Sequence, residues 1–302
     1  MPTIGSKSPI QLDSVVFATD FSPASLNAGL YASAISVHVC TNLFVTHAFT
    51  LTQAALEVEA EKPSGSLQRS NLHLELTQTA EELKAGRGDA EPILLEGDPC
   101  SLIPQFAQKR SPALLVLGTH GRGSLDRHIL GSTAEGILRH SSGSTLTIGP
   151  NVDILHAGNL NIRRILYATD CSAEAAHAAP VAVALADVFS SDLDVLNVVS
   201  SNAIDHSEQL QHLQQQFYGA VEAILPHEAG HICKPQTFVR VGKPQADILK
   251  HIAEREIDLL ILGLHRNTHL GMQNRTSGAF PIIVKAECPV ITVASGATPR
   301  GD

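Results

Sequence analysis

Val15-Val-Phe-Ala-Thr-Asp20-Phe-Ser22 returns as Ile165-Leu-Tyr-Ala-Thr-Asp170-Cys-Ser172, an offset of 150 residues. Each copy is a continuously apolar run that ends in Thr-Asp and meets a serine two residues later. Further landmarks recur in the same order at an offset of 145. Leu95-Glu-Gly-Asp-Pro99 matches Arg240-Val-Gly-Lys-Pro244, and Ala113-Leu-Leu-Val-Leu-Gly118 matches Asp258-Leu-Leu-Ile-Leu-Gly263. Ordered matches with so small a drift indicate a duplicated domain. The expected division is residues 1–150, a linker over 151–160, and residues 161–302.

Both halves read alike around these landmarks. Ser14 to Thr19 and Arg164 to Thr169 are short apolar strands, each followed at once by a helix. Ser22 is an N-cap with Pro23 at the first helical position, and Leu26, Leu30, Ala34 and Val37 mark the expected apolar stripe. In the second half Ser172 is the cap and Pro180 falls early in the helix. Second strands follow at Leu43 to Ala48 and Leu193 to Val199, then long polar helices at Leu67 to Lys84 and Glu208 to Leu225. Third strands, Pro92 to Glu96 and Gln236 to Val241, turn through Gly-Asp-Pro and Gly-Lys-Pro into helices that lead to fourth strands at Leu114 to Gly118 and Leu259 to Gly263. The last strands are Thr145 to Gly149 and Val290 to Ala294. Strands that alternate with helices and are apolar throughout predict an α/β protein with parallel sheets covered on both faces. Leu51 to Ser66, broken by Lys62-Pro-Ser-Gly-Ser66, reads as a loop.

Directly after the fourth apolar run stands Gly118-Thr-His-Gly121-Arg-Gly-Ser-Leu-Asp-Arg-His-Ile-Leu-Gly131-Ser132. Glycines let backbone N–H groups approach a phosphate, and a helix N-terminus adds unpaired donors and partial positive charge. In a doubly wound sheet ligands gather beyond the carboxyl ends of the strands, where the winding reverses. If the strand order in each half is 3-2-1-4-5, Asp20 and Gly118 stand side by side at that reversal. Asp20 can then accept hydrogen bonds from a ribose or base while the glycine loop holds phosphate.

These residues resemble the universal stress protein family, and the resemblance covers nearly the whole chain as two tandem copies. It implies two Rossmann-like domains, each a five-stranded parallel sheet flanked by helices. The family's nucleotide signature, Gly-x2-Gly-x9-Gly-Ser/Thr, is met by Gly118, Gly121, Gly131 and Ser132. In ATP-binding members the matching positions contact the ligand. The resemblance thus implies contacts from Ala18, Thr19 and Asp20 at the first strand end, a backbone group near Ala48, and Thr119 and Thr133 around the loop, while Arg122 reads equally well as a neutraliser of a γ-phosphate or as a solvated loop side chain. The implied ligand is ATP, with or without Mg²⁺. The resemblance also implies that the final strands, ending near Ile148 and Val293, pair the domains and that two chains associate. The second copy departs from the signature: Gly121 becomes Arg266, Gly131 becomes Thr276 and Gly136 becomes Pro281, while Asp170, Gly263 and Ser277 remain. Loss of two glycines restricts positive φ and fills space a triphosphate would occupy, so the second domain is expected to bind ATP weakly or not at all.

The formal charge of −9 and pI near 5.9 argue against nucleic acid or anionic lipid as a partner. No apolar stretch has the length of a membrane span and Met1 to Ile10 lacks a signal-peptide pattern, so the expected compartment is the cytoplasm. The five cysteines, Cys40, Cys100, Cys171, Cys233 and Cys288, are scattered and read as reduced packing residues. His227-Glu-Ala-Gly-His231 spells a zinc-protease pattern, but Pro226 and Gly230 disfavour the helix it requires. His265 and His269 read as surface residues, and His120 and Asp126 sit in the glycine loop, where solvent contact is as good a reading as a ligand. No Gly-x4-Gly-Lys-Ser/Thr loop is present, so no catalytic residue or resident metal is assigned. Three readings stay open. The chain is an ATP-binding stress sensor with an unknown protein partner, a slow ATPase or phosphotransferase using the same pocket, or a nucleotide-independent scaffold.

Overall fold

The computed structural model describes residues 12–50, 64–84, 89–119, 129–155, 160–200, 207–224, 235–264 and 278–294. By contact these described residues fall into two compact units, one drawn from 12–148 with 154, 155 and 160, the other from 149–153 with 161–294. Strands and helices alternate in both. The first unit contains β1 (Ser14–Ala18), α1 (Pro23–His38), β2 (Asn42–Phe49), α2 (Ser64–Leu83), β3 (Ala90–Glu96), α3 (Pro99–Gln108), β4 (Ala113–Gly118), α4 (Ser132–His140) and β5 (Ser144–Ile148). Its strands are parallel and run β3-β2-β1-β4-β5 across the sheet. The second contains β6 (Arg164–Ala168), α5 (Ala173–Ala176), α6 (Ala179–Phe189), β7 (Asp192–Val199), α7 (Ser207–Ile224), β8 (Gln236–Val241), α8 (Pro244–Arg255), β9 (Leu259–Leu264), α9 (Ala279–Lys285) and β10 (Val290–Ala294). Its parallel order is β8-β7-β6-β9-β10, the same winding as the first.

The continuous apolar runs became the central strands because both of their faces are covered. Val15, Val16 and Phe17 of β1, and Ile165 and Leu166 of β6, are fully buried. Pairing puts Ala18 opposite Thr46 on one side and Leu117 on the other, so β1 lies between β2 and β4. The chain leaves β1 towards β2 and later returns to β4 on the far side. The carboxyl ends of β1 and β4, where this reversal falls, are where doubly wound sheets generally take their ligands.

Helix α1 starts as expected, with Ser22 Oγ accepting the Ser25 N–H at 3.2 Å and Pro23 in the first turn. Its buried face differs from the expected stripe. Leu26 and Leu30 are only half-buried and Val37 is exposed, whereas Ala28, Gly29, Ala32, Ser33 and Ser36 are buried with Ala34. Tyr31 and Ile35 are buried as well, and small residues stand where the helix comes closest to the sheet: a Cβ on Gly29 would stand 2.8 Å from the Phe17 ring. Ser33 and Ser36 meet the requirement of burial by donating to the Leu83 and Ser33 carbonyls.

Two further expectations change. Helix α2 begins at Ser64, inside the stretch read as loop, while residues 51–63 lie outside the described part. In the second unit the helix after β6 is broken into α5 and α6, with Pro180 in the first turn of the latter. The break frees the Ala175 carbonyl from its continuous-helix partner, and the buried Tyr167 hydroxyl donates to it at 2.8 Å.

Candidate functional site

The end of β1 is held by a compact set of hydrogen bonds. Thr19 N–H extends the ladder to the Thr46 carbonyl at 2.9 Å. Thr19 Oγ1 accepts the Phe21 N–H at 2.9 Å, and Asp20 Oδ1 accepts the Ser22 N–H at 3.0 Å. Ser25 Oγ donates to the Ser22 carbonyl at 2.9 Å, so the 3.0 Å contact between Thr19 and Ser25 hydroxyls has Thr19 as donor. Phe21 occupies the left-handed region at φ 61°. The carboxylate that the sequence assigned to ligand binding therefore also shapes the turn that starts α1.

Beside it, Gly118 closes β4. A Cβ there would stand 3.1 Å from the Ala24 carbonyl oxygen and 3.3 Å from the Ser25 Cα. Its first service is thus to let the start of α1 approach the strand. Gly263 does the same in the second unit, where a Cβ would meet the Ala175 Cα at 2.5 Å. This accounts for why this glycine survives in the copy that has lost the others.

After Gly118 the chain is tied back to its own return. Thr119 is buried, its N–H donates to the Ile148 carbonyl at 3.1 Å, and its carbonyl accepts the Gly131 N–H at 2.9 Å. Gly131 is the N-cap of α4, at φ −60° and ψ 142°, and makes no side-chain cap hydrogen bond. Ser132 and Thr133 follow it in the first helical turn and are exposed. The conformation at Gly131 is one that any residue adopts, so restricted φ is not the reason Thr276 differs from it. Gly136 makes room in α4, since a Cβ there would lie 2.4 Å from Cys100 Sγ. That thiol sits 3.9 Å from the Thr133 carbonyl, and burial, with the Asp98 carboxylate adding to it, raises its pKa. Cys100 is accordingly a packing group and a poor nucleophile.

Of the sequence-assigned residues, Ala18, Thr19, Asp20, Gly118, Thr119, Gly131, Ser132 and Thr133 gather at the β1, β4 and α4 ends. Ala48 is half-buried near the end of β2, opposite Leu95. Gly121 and Arg122 lie outside the described residues, as do His120, Asp126, the His227 to His231 pattern, His265 and His269. Among the described residues, no group of three or more His, Cys, Asp or Glu side chains is placed to hold a metal ion.

Sequence reasoning missed His47. Its Nδ1 lies 2.7 Å from the Thr19 carbonyl, and its ring packs against Phe21 with centroids 4.5 Å apart. In the second unit Asn197, 150 positions later, donates to the Thr169 carbonyl at 3.0 Å. The turn itself is repeated there: Thr169 Oγ1 accepts the Cys171 N–H, Asp170 Oδ1 accepts the Ser172 N–H, and Cys171 has φ 59°. The available signal was a polar residue at one register position of two otherwise apolar strands.

Two parallel, doubly wound units in tandem, each with a Thr-Asp turn at its winding reversal, define a duplicated Rossmann-like protein. The sequence profile of the Universal stress protein family matches residues 12–149 and 161–294. The chain belongs to that family. It is 38% identical over 55 residues to universal stress protein MJ0531 of Methanocaldococcus jannaschii, a match covering 18% of this chain and 32% of that one. It is 41% identical over 56 residues to universal stress protein E of Photorhabdus laumondii, covering 18% of each. These matches span less than a third of the curated relatives' lengths. A universal stress protein from Archaeoglobus fulgidus has a similar structure at TM-score 0.71 and 19% identity, covering 95% of this chain and 100% of that one. A second, from Pseudomonas aeruginosa, reaches TM-score 0.59 at 14% identity over 94% and 93% of the two chains. At these identities the structural likeness is one of fold. Among the described residues no helix is long and apolar enough to cross a membrane.

Proposed function

We propose that the first unit binds an adenine nucleotide, ATP, beyond the carboxyl ends of β1 and β4, and that the protein is a nucleotide-responsive regulator in a stress response. The observation that carries this reading is the placement of the Asp20 turn and Thr119 just past the ends of the paired strands β1 and β4, with the Thr119 carbonyl accepting the Gly131 N–H at the start of α4. The residues present fit the ligand in kind. A carboxylate suits ribose or base hydroxyl and amino donors, and helix N–H groups suit phosphate. The unaltered Gly118, Gly121, Gly131 and Ser132 signature supports the first unit over the second, where Arg266 and Thr276 replace two glycines. Regulation is favoured over rapid phosphoryl transfer because no recognisable catalytic carboxylate pair or phosphate-gripping lysine accompanies the signature. Cytoplasmic location and association of two chains complete the proposal.

Calorimetric titration of the purified full-length chain with ATP, with and without Mg²⁺, tests it. The expected result is one saturable site per chain, abolished by Gly131→Glu, with ADP formation no faster than the blank. Absence of saturable binding at millimolar ATP, or undiminished binding by the variant, overturns it.

A further inference from the structure

Asp20 lies between two residues that a single side chain touches. The imidazole of His47 reaches the Thr19 carbonyl before it and the Phe21 ring after it. A carbonyl oxygen only accepts, so the hydrogen of the 2.7 Å contact stands on His47 Nδ1. The contact comes where the sheet can no longer help: Thr19 N–H makes the last ladder bond, to Thr46, and the chain then turns away from β2. Phe21 enters the left-handed region, which is unfavourable for a bulky side chain, and such a turn persists when its surroundings hold it.

The second unit supplies an internal comparison. At the register position of His47 it carries Asn197, a different side chain of different shape, yet its Nδ2 donates to the matching Thr169 carbonyl. The residue after the aspartate is there a cysteine, not an aromatic, and it has the same positive φ. The shared element is a side-chain N–H donor from the second strand to the carbonyl that precedes the aspartate. The aromatic contact belongs to the first unit alone.

We propose that His47 is a positioning residue of the nucleotide site: by holding the Thr19 carbonyl it fixes the turn that presents Asp20. This rests on the nucleotide reading given above, and its test separates the two. ATP titrations compare the wild-type chain with His47→Asn and His47→Ala, and amide hydrogen exchange at Ser22, whose N–H bonds Asp20 Oδ1, is followed in all three. His47→Ala is expected to weaken ATP about tenfold, the equivalent of one such hydrogen bond, and to speed Ser22 exchange. His47→Asn, which restores the donor in the manner of Asn197, is expected to stay within about threefold of wild type on both readouts. A merely structural histidine would lower thermal stability without this rescue. Unchanged ATP affinity in His47→Ala, or failure of His47→Asn to restore it, overturns the role of His47. No binding by the wild type overturns the nucleotide reading itself. In that case unchanged Ser22 exchange in His47→Ala would also refute the hold on the turn.

Discussion

His251 Nε2 stands 3.1 Å from Asp194 Oδ2, both side chains fully buried, at the positions where the first repeat sets Phe106 against Phe44. The correspondence follows the two repeat offsets, 150 for the strand residue and 145 for the helix residue. Each pair joins the second strand of its unit to the helix that follows the third. The first unit does so with an edge-to-face aromatic contact, centroids 5.8 Å apart, and with Arg110 over both rings. The second does so with charge: Arg255, 145 residues after Arg110, donates from Nε to Asp194 at 3.0 Å, and Arg240 from β8 faces His251 Nδ1 at 3.2 Å. The same packing problem has an apolar and an ionic solution in one chain.

Acid should distinguish the two solutions. Burial pushes the Asp194 carboxyl up, but hydrogen bonds from His251 and Arg255 and the Arg255 charge outweigh it and leave the pKa below the ordinary value. A depressed folded-state pKa means stability that is present above the unfolded value, about 3.9, and is lost as pH falls through the folded one. Glu254 and Asp192 also face this cluster, Glu254 pairing with Arg240 and Asp192 acting on Arg255. Hydrogen exchange resolved by segment is expected to show β7 and α8 losing protection below about pH 4 before β2 and α3 do. Simultaneous loss in both units would count against the ionic cluster as the acid-sensitive element.

Removing one partner of the buried pair should cost more than removing the aromatic contact. Asp194→Ala leaves His251 and Arg255 facing a void and is expected to destabilise the second unit by about 3–5 kcal/mol. A swap towards the first repeat, Asp194→Phe with His251→Phe, should recover much of that loss. Urea unfolding of the three proteins checks it, and a double variant no better than the single one would show that the apolar solution does not transfer.

Gly118 and Gly263 are expected to resist substitution for the same steric reason. Gly263→Ala places a Cβ 2.5 Å from the Ala175 Cα, which is backbone and cannot swing aside, whereas Gly118→Ala meets its nearest atom at 3.1 Å. Thermal melts should rank Gly263→Ala below Gly118→Ala in stability. Overpacking of this kind typically costs about 1–3 kcal/mol.

Gly131 separates fold from ligand. Its φ of −60° and ψ of 142° admit a threonine without strain, so Gly131→Thr should melt within a few degrees of wild type. On the proposed function it should nevertheless weaken ATP, because a branched side chain crowds the first-turn donors of α4. Unaltered ATP affinity in a folded Gly131→Thr protein would place the specificity elsewhere in the loop.

Much of this molecule was legible from local pattern. The Thr-Asp repeat, the apolar runs and the Gly-Asp-Pro and Gly-Lys-Pro turns located the ten strands to within a residue or two. Strands that are buried on both faces are dominated by apolar residues and so announce themselves. The start of the glycine signature was placed at the end of β4 because it follows one of these runs directly. Other features left no local trace. Of the stripe Leu26, Leu30, Ala34 and Val37 only Ala34 is buried, because the face of α1 turned to the sheet also takes in Ala28, Gly29, Tyr31, Ala32 and Ile35, with small side chains where the approach is closest. A single polar residue in a strand, such as His47 or Asp194, carries no period, and its partner is found only when folding brings it near.

The sequence by itself determined the duplication, the α/β class and the asymmetry of the two glycine signatures, since these rest on order and periodicity along the chain. Tertiary structure decided which groups work together. His47 clasping the Asp20 turn, Gly118 yielding to α1, and Asp194 buried against His251 are contacts between residues about 30 to 90 positions apart. Their energy comes from burial and from hydrogen bonds that exist only once both elements are packed, so no local reading of the chain could assign them.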